Sequence, residues 1–308
     1  MKNHWESQQS AFLAEISTSQ QGRFYSKNTI RAYSIAISKF VAFLEDKQVD
    51  SIECVDMGVV AYFLGKLSDD GLSSTTIKLY QSAMSYFLDF CINEHEDRLL
   101  MVNPVSQYVL REKAKRKRMG RAVQRLPPVL YANEEKTLFE HILAHEFKQS
   151  STSDFIRLRD TAMIGLCLDS GLRTSELVSL TLNQINLYLS EHTLRVIGKG
   201  NKERVIKPLD DYRDFLKDYL EHACRAQHGS DLVFTTIRNT VITQSSFYKS
   251  VDKYLVMSGI EKPQMGGHLL RHTSASKMLF RGLNIKQVQQ NLGHSSIVVT
   301  EKYLHLLG

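Results

Sequence analysis

A chain of 308 residues with 43% hydrophobic content is longer than one domain usually runs, so two domains with separate cores are expected. Its 39 Lys and Arg against 33 Asp and Glu leave a net charge of +6, which suggests an anionic partner without specifying one. The opening MKNHWESQQS has no apolar secretory core and no later stretch approaches a membrane span. This argues against a secreted or membrane protein and leads us to expect a soluble, cytoplasmic one. Cys54, Cys91, Cys167 and Cys224 form no C-x-x-C pair and sit within or beside apolar residues. Reduced core thiols fit that pattern better than disulfides or zinc ligands.

Residues 1–110 read as a helical domain. Trp5, Phe12, Leu13 and Ile16 suggest a first helix. Ser26 can cap a second, in which Ile30, Tyr33, Ile37, Phe40, Val41 and Leu44 recur at spacings of three and four. Asp56 starts a third, with Val60, Phe63, Leu64 and Leu67 inward; Gly71 breaks the chain, and Ser73 or Ser74 opens a fourth with Ile77, Tyr80, Met84, Phe87 and Cys91. These stripes are core. The opposite faces carry Lys27 and Arg31 on one helix and Lys78, Gln81, Ser82 and Ser85 on another. Short polar and cationic side chains suit a DNA major groove, and a merely solvated face fits them equally.

Residues 111–128, REKAKRKRMGRAVQRLPP, gather Lys115, Arg116, Lys117, Arg118 and four more cations against one acid. Gly120 and Pro127–Pro128 interrupt any helix through the whole stretch. The expectation is a basic interdomain linker, either simply solvated or lying as a flexible strap along phosphates.

Residues 129–308 form the expected second domain. Helical patterns at 133–147 and 155–168 lead into G-L-R-T-S-E-L at 171–177. Here Gly171 closes one helix and Thr174 can cap the next, which places Arg173 at a helix N-terminus that already favours an anion. Glu176 is spaced to hold Arg173 or a neighbouring imidazole, or to serve as an ordinary capping partner. Two β-rich runs, Leu194–Ile197 and Arg204–Ile206, flank G-K-G-N-K. That is a hairpin signal with Lys199 in its tip region. Helices are predicted at about 210–226 and 244–257, with a short strand at Asp231–Thr235 between them. Then His268 and Arg271 share a helix face, Gly282 and Gly293 stop two helices, and Ser295 or Ser296 opens a last one carrying Tyr303. A fixed cation, two imidazoles and a phenol point to chemistry at a phosphate.

H-L-L-R-H (268–272), L-G-H (292–294) and Y-L-H (303–305), preceded by G-L-R-T-S-E-L and G-K-G-N-K, resemble the active site of the tyrosine recombinases, the phage integrase and Xer-like family. The resemblance implies a mainly α fold with a small β component: an N-terminal helical, SAM-like core-binding domain and a C-terminal mixed α/β catalytic domain. It implies that Arg173, Lys199, His268, Arg271, His294 and Tyr303 are catalytic, with Glu176 in support. Tyr303 would attack DNA to give a 3′-phosphotyrosine bond, Arg173, Arg271 and His294 would neutralise the phosphorane, His268 would handle the tyrosine proton, and Lys199 would protonate the leaving 5′-oxygen. His272 is read as a buried structural histidine, and His305 is left unassigned.

The resemblance further implies double-stranded DNA sites as partner, a homotetramer built of two dimers, no cofactor and no metal, a nucleoid-associated location, and room for an accessory directionality factor. Two features depart from the family pattern. Gly266–Gly267 stands where a Ser-Pro-like pair often precedes the histidine, and only five residues follow Tyr303 where many relatives carry a longer docking tail. A type IB topoisomerase and an idle DNA-binding architectural protein remain the alternatives. A metal nuclease built on the histidines would need an acidic cluster that the sequence does not place beside them.

Overall fold

The structure, a computed structural model, describes residues 4–18, 25–95, 101–119, 127–144, 151–198, 203–222 and 231–304. It divides into two compact units, Met1–Val123 and Gln124–Gly308.

The first unit is helical: α1 (His4–Thr18), α2 (Lys27–Asp46), α3 (Met57–Asp69), α4 (Ser74–Asn93) and α5 (Pro104–Met119). The expected caps are in place. The side chains of Ser26, Asp56 and Ser73 accept the backbone N–H of Thr29, Val59 and Thr76 respectively, each satisfying a donor the helix start would otherwise orphan. The inward stripes meet in one core around Phe40, Phe63, Met84 and Phe87, and Trp5 joins it with its indole N–H donated to the Val49 carbonyl. One expectation changes here. The basic stretch does not begin as a flexible strap, because α5 continues through residue 119. Pro104 is tolerated in the first turn, where its missing N–H costs nothing, and Lys and Arg propagate a helix well. Residues 120–126, and the side chains of Lys113 and Lys115–Arg118, lie outside the described residues.

The second unit contains α6 (Ala132–Ala144), α7 (Ser151–Ser170), α8 (Thr174–Val178), α9 (Leu182–Glu191), strands β1 (Leu194–Ile197) and β2 (Glu203–Ile206), α10 (Arg213–His222), α11 (Gln244–Met257), α12 (Gly267–Phe280), α13 (Ile285–Leu292) and α14 (Val298–Glu301). β1 and β2 pair antiparallel with Leu194 opposite Ile206 and Ile197 opposite Glu203. Helix α9 is not among the elements expected from the sequence, although Thr181 and Gln184 form a capping box at its start. At 231–235 there is no strand, only single bridges from Leu232 to Thr181 and from Thr235 to Val241. The segment is held by Val233 N–H donating to the Leu180 carbonyl and by the Tyr219 hydroxyl. Cys91 and Cys167 are buried as expected, Cys54 is exposed, and Cys224 lies outside the described residues.

α12 runs through the middle of this unit, buried on nearly every side. Leu269 and Leu270 belong to the main core; Ala275, Met278 and Leu279 belong to a smaller one closed by Val288, Leu292 and Tyr303. The phenol ring is thus part of the packing that holds α13 and the C-terminal segment onto α12. Tyr303 itself lies two residues beyond α14, which begins at Val298 rather than at Ser295 or Ser296. Among the described residues no helix is long and apolar enough to cross a membrane.

Candidate active site

The site is assembled on the C-terminus of α13. A helix end leaves its last carbonyls without intrahelical partners and carries partial negative charge. Three successive carbonyls there each receive a different arginine. Asn291 accepts from Arg204 Nε at 2.9 Å, Leu292 from Arg271 Nη2 at 2.7 Å, and Gly293 from Arg173 Nη2 at 2.7 Å. Gly293 makes this possible, since it takes φ +65° and a Cβ there would meet the Arg204 side chain at 3.0 Å. Arg271 also donates through Nη1 to the Gly171 carbonyl at 2.6 Å, at the end of α7. Gly171 is likewise left-handed, and a Cβ would come within 2.5 Å of Leu292.

One carboxylate answers these cations. Glu176 accepts the Arg173 backbone N–H at 2.8 Å and Arg173 Nη1 at 2.9 Å, and takes both terminal nitrogens of Arg204 at 2.7 Å. Burial alone would raise the Glu176 carboxyl, but the hydrogen bonds from Arg204 and Arg173 outweigh it and hold it below the usual range. The N-cap of α8 is therefore Arg173, capped by Glu176, and Thr174 is its first helical residue. Among the described residues, the hydrogen-bond partners of Arg271 are neutral carbonyls. Burial, then the neighbouring Arg173 charge, lower it to about 10, so it stays charged at neutral pH. Three guanidinium groups against one carboxylate leave a surplus of positive charge, which suits the site to an anion.

That surplus faces a cavity of about 460 Å³ lined by Arg173, His268, Arg271, His272, His294 and Tyr303, with Pro127, Pro128, Gln264, Val299 and Lys302 at its margins. His294 is fixed by Nδ1 against the Thr300 hydroxyl at 2.9 Å. Burial, then the charges of Arg271 and Arg173, push it down to about 4, so it is neutral near pH 7. Tyr303 is only 2% exposed. Burial raises its phenol to about 12, partly opposed by Arg271.

Five of the six residues singled out as catalytic thus share one cavity. Lys199 lies outside the described residues, as does His305. Two contacts concern the neighbours. The Tyr303 hydroxyl is engaged not by His268, which is exposed, but by His272 Nδ1 at 2.6 Å. His272, expected as a buried structural histidine, is half-buried and stands with His268 and Arg271 at i, i+3 and i+4 on one helix face. Among the described residues Glu176 holds no imidazole; its second partner is Arg204, which nothing in the local sequence distinguishes from a solvated strand residue.

In the first unit, Lys78, Gln81, Ser82 and Ser85 line one side of a groove of about 660 Å³ whose other side is α5, with Ser106, Tyr108 and Glu112. Lys27 and Arg31 are exposed on α2 and are not part of that lining.

Residues 128–307 match the phage integrase family, and residues 11–95 match its N-terminal SAM-like domain. Curated relatives named tyrosine recombinase XerD include one from Chlorobaculum tepidum, 31% identical over 92% of this chain and 88% of the relative. Another from Listeria monocytogenes is 29% identical over 92% and 90%. Among solved structures, XerH site-specific recombinase bound to difH substrate matches with a TM-score of 0.74 at 20% identity, covering 98% of this chain and 93% of that one. A lambda integrase dimer bound to a COC′ core site matches at 0.67 and 20% identity, covering 96% and 94%.

Proposed function

The chain belongs to the phage integrase family as a site-specific tyrosine recombinase, and we propose that Tyr303 is its nucleophile and that Arg173, Arg271, His268 and His294 bind the scissile phosphate. The observation that carries this reading is the convergence of two guanidinium groups, three imidazoles and one phenol on a single cavity with surplus positive charge. Planar guanidinium forks suit the non-bridging oxygens bidentately. With Nδ1 of His294 turned to Thr300, its Nε2 is the nitrogen left to serve the phosphate. Glu176 and Arg204 act as positioning residues: they fix Arg173 without neutralising Arg271.

Tyr303 attacks phosphorus, a 3′-phosphotyrosine bond forms, and the 5′-oxygen leaves with a proton supplied by Lys199. The covalent ester retains the energy of the phosphodiester, so a second 5′-hydroxyl can reseal the strand without ATP. Positioned charge contributes several kcal/mol to such a step, about 3–4 per well-placed donor. We place the enzyme on double-stranded DNA sites as a homotetramer in the cytoplasm, with the groove between α4 and α5 and the cations of 111–118 gripping the duplex. Trapping covalent complexes in cells and sequencing the attached ends tests the reading. Reads clustered at a defined sequence support it, and reads scattered evenly over the genome contradict it.

The basic stretch contributes affinity rather than sequence choice. Changing Lys115, Arg116, Lys117 and Arg118 together to glutamine should weaken binding to the same degree on every duplex. The slope of log affinity against log salt should flatten by up to about 0.9 for each phosphate no longer neutralised. Equilibrium titrations across a salt series check it; an altered site preference with an unchanged slope would contradict the assignment.

A further inference from the structure

We propose that His272 is a catalytic residue of strand cleavage: its Nδ1 holds the Tyr303 hydroxyl before DNA binds and takes the phenolic proton as the oxygen attacks phosphorus. The inference rests on the recombinase reading and adds a base to it. At 2.6 Å the pair is at the short end of hydrogen bonding. The ring centroids lie 5.7 Å apart at 48°, and both residues line the cavity that holds the phosphate-binding arginines. With the phenol as donor, Nδ1 accepts and the imidazole's own proton sits on Nε2.

The surroundings explain why the pair is quiet until an anion arrives. His268 and Arg271 on α12, Lys302 beside Tyr303, and Arg173 and His294 from the neighbouring turns all face this corner. Burial, then the charges of His268, Arg271 and Lys302, push His272 down to about 4, while the phenol stands near 12; the proton rests on oxygen. A phosphate on the arginines reverses both tendencies. Its charge offsets the cations that disfavour imidazolium, and bonding to phosphorus drains electron density from the phenolic oxygen, making its proton acidic. In the forward step the Tyr303 Oη–P bond forms, the P–O5′ bond breaks, the phenolic proton passes to Nδ1, and the 5′-oxygen takes a separate proton from Lys199. In resealing, the imidazolium returns its proton to the departing phenolate.

The test uses the full chain and one nicked duplex that the wild type has captured covalently from a pool with randomised sequence. Single-turnover adduct formation is followed from pH 6 to 10 for wild type, His272→Asn, His272→Ala and His268→Gln. Asparagine puts an acceptor near the Nδ1 position but cannot take a proton. At pH 7, His272→Asn should be slower by about 10²–10⁴-fold, the range for a lost proton acceptor. Its rate should rise about tenfold per pH unit as Tyr303 ionises by itself, so the defect shrinks at alkaline pH, whereas His268→Gln should keep the wild-type profile shape. A His272→Asn rate within a few-fold of wild type, or a deficit equal at every pH, overturns the proposal. Thermal unfolding and duplex binding, expected near wild type for His272→Asn, separate chemistry from folding. Without DNA, the Nδ1 ¹⁵N resonance of His272 should shift in Tyr303→Phe, and no shift also counts against the pair. If the wild type captures no member of the pool, the recombinase reading falls and takes His272 with it. If it captures one through Tyr303, only the base is at stake.

Discussion

Tyr303→Phe is expected to form no covalent protein–DNA adduct while keeping site-specific binding. The ring of Tyr303 belongs to the small core with Ala275, Met278, Leu279, Val288 and Leu292, and phenylalanine preserves its apolar packing there. What goes is one hydroxyl and its bond to His272, worth about 1 kcal/mol of net stability, so the variant folds. Every other partner of the phosphate remains, which is why binding persists. The chemistry does not, because Tyr303 is the one phenol lining the cavity among the described residues, and no amount of charge stabilisation replaces a missing nucleophile. Incubation with a nicked duplex followed by denaturing electrophoresis reads the outcome. An adduct retained by the phenylalanine variant would remove Tyr303 from its assigned role.

Arg271→Ala should lower the rate of adduct formation by about 10²–10³-fold or more, the cost of deleting one donor aimed at developing negative charge. Its guanidinium bonds to the carbonyls of Gly171 and Leu292, so its charge is not already spent on a carboxylate. Arg271→Lys should recover little. A point-charge ammonium cannot span two carbonyls and a phosphate in one plane. Both variants leave buried carbonyls short of a donor, and a lowered melting temperature is expected alongside the kinetic loss. A substrate with sulfur in place of the scissile 5′-oxygen separates this role from general acid catalysis, because a thiolate leaves without a proton. Sulfur should rescue Lys199→Ala, itself slower by about 10²–10⁴-fold on ordinary DNA, and should not rescue Arg271→Ala. Lys202→Ala serves as the hairpin control, near wild type throughout. Rescue of Arg271→Ala by sulfur would mean that the arginine serves the leaving group, and rescue of Lys202→Ala in place of Lys199→Ala would move the acid to the other lysine.

The sequence by itself determined those features that one element can encode alone. The caps at Ser26, Asp56 and Ser73 and the stripe from Ile30 to Leu44 are local, since a cap bonds to a residue three positions away and periodicity needs only its own helix. The hairpin and the His268–Arg271 pair are legible for the same reason, and the ordered motifs carried the family. Tertiary structure decided the rest, because the partner of a buried polar group is set by packing between elements distant in the chain. Arg173 meets the Gly293 carbonyl across 120 positions, Arg204 meets Glu176 across 28, and His272 meets Tyr303 across 31. Nothing in the residues around Arg204 or His272 names those partners. His272 and Tyr303 become neighbours when the C-terminal segment closes the small core with α12 and α13, and Arg204 on β2 reaches Glu176 on α8; a charge or hydroxyl buried there without a partner would be costly.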